Sequence, residues 1–368
     1  MTIKELAYSA QQHLQASTGR SFKRAHVHEL LAAAFGFNSH AAFGVDTVFT
    51  ELHHYDRRVI TQSAPIKRRC IELGYQSDTA ILASSALESF LAERQIGVAS
   101  ISLLVSRLRG GSSIQGDELE YDPDELLEIA DDAFGPMLLD GLAGAASRGN
   151  ALAHYALALF HAPDDVEEPD AGSSYWYSQG QQGRVLTGVE KEWAEAHEAR
   201  IARAEKYSWH LREAGRLGNQ DALLDLADRF DDPSFFEQPP HGADADPAAI
   251  AAIAERMGRT FDARHWLTLA AESGDTDAML QLIDEYDHAD LQRCWTWVYL
   301  SRLVGTDLTQ DAYYAVHENG SHYDDDVGGP AFVAGRGGVA LEPLAPEQDT
   351  TARLAAQQLF EQIEQSAG

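Results

Sequence analysis

The chain has 368 residues, 44% of them hydrophobic, and 58 acidic against 28 basic residues give it a formal net charge of −30. A chain of this length can bury a sizeable core, and its apolar runs are all shorter than the roughly 18 residues that a membrane-spanning helix needs. Two cysteines, Cys70 and Cys294, are too few for a disulfide framework, which favours reducing surroundings. Together with a start that lacks the pattern of a signal peptide, these features predict a cytoplasmic protein without membrane contact.

The first 110 residues predict a small helical domain that is mildly basic. Thr2 suits the N-cap of a first helix, and the residues around Gly36 recur around Gly74, which indicates a helical duplication. The segment Val98–Val105 belongs to a predicted helix but is short enough to be a strand instead. This region holds 12 basic and 9 acidic residues, a balance of +3, whereas the rest of the chain holds 16 and 49, a balance of −33. Such an asymmetry indicates two parts with different partners.

Residues 109–125 form the clearest predicted boundary. A Gly/Ser break is followed there by acidic residues and by Pro123, a residue suited to the first turn of a helix. From this proline a helical array is predicted to extend to residue 304, after which its periodicity is lost. The predicted domains are therefore 1–110, 123–304 and 305–368.

Three segments of the predicted array share one pattern, centred on Gly149, Gly218 and Gly274. In each segment one Ala stands four residues before the glycine, another stands four residues after it, and a Leu stands eight residues after it. A Gly-Asn or Gly-Asp corner lets one helix stop in a left-handed residue and lets the next restart antiparallel at close range. Because a single pair cannot bury its apolar face, the pattern predicts stacked helix pairs. The matching residues are Ala145, Ala153 and Leu157, then Ala214, Ala222 and Leu226, then Ala270, Ala278 and Leu282.

These segments resemble the Sel-one-like repeats, which are short relatives of the tetratricopeptide repeats. Residues 265–286 match the family pattern best, residues 208–230 match it with Trp209 one place early, and residues 138–160 keep the alanines and the glycine without the tryptophan. The three glycines are 69 and 56 residues apart, so each gap must hold an insertion or a degenerate repeat. The resemblance implies an all-α fold, an α-solenoid of antiparallel helix pairs, and a surface that binds another protein.

The last part of the chain predicts a cap for the apolar end of the helical stack. Residues 308–318 indicate one more helix, and residues 331–344 alternate around Gly335–Gly338 in the manner of a β-hairpin. Pro346 stands near the start of a final helix. A solenoid needs such a cap because its last helix pair would otherwise expose an apolar face.

The sequence offers no constellation that predicts catalysis. A hydrolase needs a nucleophile, a base and an orienting group, and no G-x-S-x-G nucleophile elbow occurs. Five histidines of the N-terminal region, together with Cys70, lack the spacing of a zinc site. The loop Asp324–Asp326 with His322 lacks the alternating carboxylates of a calcium loop. We therefore predict a non-enzymatic protein without a cofactor, while the question whether the acidic loop holds a cation stays open. The histidines concerned are His26, His28, His40, His53 and His54.

Exposed aromatic and arginine side chains on a repeat surface are the residues expected to bind a partner. The alternative for each tryptophan is packing between helices. A second group of basic residues, in the N-terminal domain, suits either docking on the acidic array of the same chain or contact with the phosphates of a nucleic acid. The expected partner-binding residues are Trp209, Arg212, Arg216, Arg264, His265, Trp266 and Trp297, and the basic group is Arg57, Arg58, Lys67, Arg68 and Arg69.

The leading functional prediction is a scaffold or adaptor that binds another protein with a basic surface, because the acidic body attracts cations and repels nucleic acids and membranes. One alternative is an acidic inhibitor or immunity-type protein that blocks a basic toxin or nuclease. A single tight, salt-sensitive partner would distinguish that class. Another alternative is a nucleic-acid-associated regulator that reads through the N-terminal domain, which would retain a DNA or RNA probe.

Overall fold

The computed structural model describes residues 1–51, 61–110, 135–163, 172–238, 245–318, 321, 323 and 330–367. These residues are mostly helical, with two small antiparallel sheets, so the predicted helical class is confirmed. Among the described helices, none has both the length and the apolar character needed to cross a membrane. The chain divides into two compact units, Met1–Leu226 and Ala227–Gly368. The predicted boundary at Pro123 lies outside the described residues, and the three predicted domains stay predictions.

The N-terminal helices of the first unit pack around a shared apolar core. Helix α1 (Ile3–Thr18) begins at the predicted cap, where the Thr2 hydroxyl accepts a hydrogen bond from the Glu5 amide. Its apolar residues recur at helical spacing and are fully buried, from Leu6 to Leu14. The next elements are α2 (Arg24–Ala34), α3 (His40–Phe43), β1 (Thr47–Glu51), α4 (Ser63–Glu72), α5 (Ser77–Glu93), β2 (Ile96–Ser100) and α6 (Ile101–Leu108).

The segment Val98–Val105 contains both of its predicted alternatives, a strand followed directly by a helix. Strand β2 pairs antiparallel with β1, with Ser100 opposite Thr47. The Ser100 hydroxyl then accepts a hydrogen bond from the Leu103 amide at 3.3 Å, which caps α6. The serine therefore marks the residue at which the backbone changes from extended to helical.

Each of the three repeated glycines forms the corner of a helix pair. Gly149, Gly218 and Gly274 have left-handed backbones, with φ of 87°, 91° and 102°. The Asn or Asp that follows each glycine accepts a hydrogen bond from an amide of the second helix, at 3.0, 2.7 and 3.1 Å. The predicted pairs are thus present, while their stacking into a solenoid stays a prediction. The helices are α7 (Pro136–Ser147) with α8 (Ala151–Phe160), then α9 (Ser173–Gln181), then α10 (Val189–Arg216) with α11 (Gln220–Phe230), then α12 (Pro247–Arg256), then α13 (Thr260–Glu272) with α14 (Thr276–Gln281).

Small residues let the helices of a pair approach closely. All nine alanine and leucine positions of the repeated pattern are buried, with at most 4% of any side chain exposed. A methyl group added to Gly215 on α10 would lie 2.9 Å from Leu223 Cδ2 on α11, which is closer than such atoms pack. The crossing is therefore filled, and larger side chains at the pattern alanines would force the helices apart.

Within the first unit, the N-terminal helices contact the helix pairs directly. The Ile3 amide donates a hydrogen bond to Asp140 Oδ2 at 2.9 Å, and Arg109 pairs with Asp221 at 2.9 Å. Helix α6 also packs on α8. Helix α4, which carries Lys67–Arg69, instead packs on α2 and α5.

The second unit has a separate core, formed by α13, α14, α15 (Leu291–Leu303) and α16 (Pro346–Ala367). Helix α14 continues into a π-helical turn, Leu282–Tyr286, from which the Tyr286 hydroxyl donates to Glu255 Oε1 at 2.6 Å. Directly after this turn lies Asp287, a buried carboxylate.

The C-terminal part contains a strand where the sequence predicted a helix. Residues 312–316 form β3 (Ala312–Val316), which pairs antiparallel with β4 (Phe332–Arg336), and Val316 lies opposite Phe332. The prediction of a helix over 308–318 is therefore wrong, and so is the hairpin turn at Gly335–Gly338. Gly335 lies inside the ladder with φ of 110°, and a Cβ there would lie 1.9 Å from the Ala312 carbonyl oxygen. The glycine allows close pairing of two strands rather than a turn.

Candidate functional site

Trp209 is a large aromatic side chain exposed on the long helix α10. Trp209 is 54% exposed, whereas a tryptophan in a core is covered on both faces of its ring. The rings of His154 on α8 and His210 meet its ring edge to face, with centroid distances of 5.4 and 4.5 Å. Two packed neighbours fix the orientation of the indole while its remaining surface faces solvent. A large, rigid and half-exposed aromatic side chain is the kind of residue that anchors protein–protein interfaces.

The histidines beneath Trp209 form a polar contact between α8 and α10. The Nδ1 atoms of His154 and His210 are 3.0 Å apart, so the Nδ1–H of one ring donates a hydrogen bond to the Nδ1 of the other. The ring of His161 stacks on that of His210 at 6.2 Å. Burial lowers the pKa of all three histidines, and for His210 burial and the neighbouring charges lower it to about 4. Near neutral pH these rings are therefore uncharged.

Basic side chains lie near the three histidine rings. Lys206 and Arg203 are close enough to His161 to lower its pKa, after the larger effect of burial. Arg216 pairs with Glu213, with 2.7 Å between Nη2 and Oε2. Helical spacing places residues 203, 206, 209, 210 and 216 in one stripe, about 140° wide, along α10. We call His161, Arg203, Lys206, Trp209, His210 and Arg216 the Trp209 surface.

Trp209, Arg212 and Arg216 were predicted from the sequence, whereas the histidines beside them were not. Arg212 is exposed on α10 beside this surface. His154 and His210 are 56 residues apart in sequence and occupy no shared motif. His154 stands four residues after Asn150, and His210 stands eight residues before Gly218. Neither position in the sequence indicates that the two rings meet.

The other four expected partner-binding residues lie in the second unit, where most of them serve packing. Arg264 is partly exposed and its Nη2 lies 2.6 Å from the buried Oδ1 of Asp287. His265 is exposed, and its ring meets that of Trp266 edge to face at 5.7 Å. Trp266 is partly buried and packs against the core of this unit.

Trp297 is a core residue of the second unit. Only 2% of it is exposed, and its Nε1 donates to Asp287 Oδ2 at 2.9 Å. The Nε atom of Arg293 lies 2.8 Å from the same oxygen, but its N–H is not aimed at it, so this contact is an ion pair. The indole of Trp297 is thus covered, and we correct the expectation that it anchors a partner. The alternative of packing between helices applies to this tryptophan.

The basic group of the N-terminal domain is partly described. Arg57 and Arg58 lie outside the described residues. Lys67 and Arg68 are exposed, while Arg69 binds Glu29 Oε2 at 2.5 Å. A shallow groove of about 270 Å³ lies beside them, lined by Ala33, Phe37, Asn38, Pro65, Arg68, Arg69 and Glu72. Contact of this group with phosphates or with the helix pairs stays a prediction.

Within the part of the chain that the structure describes, no three His, Cys, Asp or Glu side chains converge as metal ligands. His26 bonds to the Tyr75 hydroxyl at 2.9 Å, and burial raises the pKa of the Cys70 thiol to about 11. His53, His54 and the loop Asp324–Asp326 with His322 lie outside the described residues, and the rings of His28 and His40 are 5.0 Å apart.

No protein-family model, no curated protein and no solved structure matches this chain. The resemblance to the Sel-one-like repeats therefore depends on the three glycine-centred segments alone, and membership of that family stays a prediction.

Proposed function

We propose that this protein is a non-enzymatic scaffold or adaptor that binds another protein through the Trp209 surface. The observation that supports the proposal is a tryptophan held in place by two aromatic neighbours and still 54% exposed. Exposing such a ring to water carries a free-energy penalty, which contact with a partner would remove. At protein–protein interfaces, the residues whose substitution by alanine weakens binding most are often tryptophan, tyrosine and arginine.

The local charge modifies the expected partner. The total charge of −30 favours a partner with a basic surface. In the half of α10 that carries Trp209 the sign is reversed, because residues 200–216 hold five basic residues against two acidic ones, Glu205 and Glu213. At this surface we therefore do not expect a basic partner.

The two alternative functions remain predictions. An acidic inhibitor of a basic toxin or nuclease would use the acidic remainder of the chain. A nucleic-acid reader would use the N-terminal basic group, of which Arg69 is paired with Glu29 and Glu72.

Affinity capture with a matched pair of variants tests the proposal. Tagged wild-type protein, Trp209→Ala and Phe261→Ala are each used to recover proteins from the native cells. Phe261 is 90% exposed on α13 and lies outside the Trp209 surface, so it controls for the loss of any exposed ring. We expect one protein to be recovered by the wild type and by Phe261→Ala and to be lost with Trp209→Ala.

Two results would contradict the proposal. One is a partner that Trp209→Ala retains at the wild-type level. The other is a small molecule that the purified protein converts to product, with the conversion abolished by a change at the Trp209 surface.

A further inference from the structure

We infer that the Trp209 surface binds an acidic segment of its partner protein. The inference is based on the proposed function, because it specifies the chemistry of the partner at that same surface.

The first argument is the charge distribution along α10. Its first part, residues 189–199, carries four acidic residues and one basic residue, a balance of −3. Its second part, residues 200–216, carries five basic and two acidic residues, a balance of +3. One helix therefore changes sign halfway, and Trp209 lies in the basic half of a chain whose net charge is −30. A partner bearing carboxylates is the one that this half attracts.

The second argument is the arrangement of the basic groups. Arg203 and Arg216 are separated by 13 residues, or roughly 20 Å of helix, with Lys206 and Trp209 between them. Lys206 is exposed and forms no ion pair with the described residues. A segment of similar length can place carboxylates near both ends and an apolar side chain on the indole. Such a pairing supplies electrostatic attraction at the rim and burial at the centre.

The third argument concerns the histidines. His161 and His210 are uncharged near neutral pH and lie beside the basic groups. They add hydrogen-bonding nitrogen atoms and ring surface without strengthening the positive charge. The surface therefore suits a segment that combines a few carboxylates with apolar residues.

A nucleic acid fits this surface less well. A DNA strand or duplex carries phosphates continuously along its length, and its affinity depends on neutralising many of them at once. The basic stripe is short, includes Glu205 and Glu213, and belongs to a chain with 30 excess negative charges. A short acidic peptide meets far less of that repulsion, because screening at physiological salt limits it to about 8 Å.

The test is a binding titration with the full-length protein and labelled probes of defined composition. The first probe is a peptide of about 14 residues, matched to the 20 Å stripe, with glutamates on one face of a helix and leucines on the other. The second probe has the same sequence with every glutamate replaced by glutamine. The third is a single-stranded DNA of the same net charge as the acidic peptide. Binding is followed by fluorescence anisotropy.

Two charge reversals on the same helix provide the matched comparison. Lys206→Glu changes the Trp209 surface, whereas Lys191→Glu changes the acidic half of α10, and both residues are exposed. Each variant alters the net charge equally, so a difference between them reports location rather than total charge. A third variant, Trp209→Ala, removes the aromatic anchor.

We expect the acidic peptide to bind at least about tenfold more tightly than the glutamine peptide and to weaken as salt is raised. Lys206→Glu should weaken it roughly five- to tenfold, since surface charge pairs each contribute modestly, and Trp209→Ala about tenfold. Lys191→Glu should change it less than about twofold.

Several outcomes would overturn the inference. These are equal binding of the glutamine peptide, equal effects of the two lysine variants, tighter binding of the DNA, or no binding of the acidic peptide up to about 1 mM, where an interaction supplies little free energy. If a partner recovered by affinity capture depends on Trp209 but presents a neutral or basic segment, the proposed scaffold function stands and this inference fails.

Discussion

Replacing Asp287 with asparagine should destabilise the second unit more than any other single loss of a carboxylate described in it. The side chain of Asp287 is fully buried, accepts hydrogen bonds from Arg264 and Trp297, and forms an ion pair with Arg293. Arg264 Nη2 lies 2.6 Å from Oδ1, while Trp297 Nε1 and Arg293 Nε lie 2.9 and 2.8 Å from Oδ2. An asparagine has the same shape, but one of its two terminal groups is itself a donor. Whichever way the amide is turned, its NH₂ group faces a donor of the protein.

The expected loss follows from these contacts. One charge-assisted hydrogen bond disappears, which costs about 1.5–3 kcal/mol, and a buried donor left without an acceptor costs about 1–3 kcal/mol. The two arginines are 46% and 38% exposed, so they can turn towards water and recover part of this loss. We therefore expect Asp287→Asn to lower the free energy of unfolding by about 3 kcal/mol.

Urea unfolding followed by circular dichroism measures this loss. The control is Asp262→Asn, which removes a partly exposed carboxylate that pairs with Arg259 in the same unit. The control should cost less than about 1 kcal/mol. If Asp287→Asn costs no more than the control, the buried carboxylate does not hold this part of the core together and the reasoning fails.

Three further predictions concern packing, pH and the strand pair. Ala222→Leu should overpack the α10–α11 crossing and cost ~1–3 kcal/mol of stability, seen as a lower melting temperature. The control, Ala196→Leu at an exposed site of α10, should cost little. Equal melting temperatures of the two variants would contradict the register of the pair. Because the pKa of His210 is about 4 in the folded chain, below its ordinary value near 6.5, the unfolded chain binds more protons between these values. The free energy of unfolding should therefore fall as pH is lowered from about 6.5 to about 4, and His210→Gln should reduce that fall by about 1–2 kcal/mol. The same pH dependence of stability in His210→Gln and the wild type would show that the ring is not held neutral. Gly335→Ala should break the β3–β4 pairing, seen as faster amide exchange in the two strands, while Gly19→Ala should leave the pairing intact. Slow exchange in Gly335→Ala would refute the close approach of Gly335 to the Ala312 carbonyl.

Local chemistry explains which parts of the fold could be predicted from the sequence. The corner at Gly218 needs only a left-handed residue and the capping residue that follows it, and both are read from adjacent letters. The strand Ala312–Val316 could not be found in this way, because its partner Phe332–Arg336 is 16 residues further along the chain. Its own letters, with two tyrosines between alanines, fit a helix and a strand equally well.

The candidate site shows the same limit. Trp209 and Trp297 both stood in predicted helices, yet one is half exposed and the other is buried against Asp287. The difference depends on which neighbouring helix covers each face, and periodicity alone does not supply that information. The contact between His154 and His210 likewise arises only when α8 and α10 pack side by side.

Site-specific photo-crosslinking tests most directly whether a partner protein lies on the Trp209 surface. A photoreactive phenylalanine analogue replaces Glu205, which is exposed one helical turn before Trp209, or Glu195, which is exposed in the acidic half of the same helix. Each replacement removes one negative charge, and the exposed ion pair that position 195 also loses, with Lys191, contributes little. In native cells we expect position 205 to crosslink to one protein, position 195 to crosslink to it far less, and Trp209→Ala to abolish the product. Equal crosslinking from both positions, or a product that persists in Trp209→Ala, would contradict the proposed binding surface.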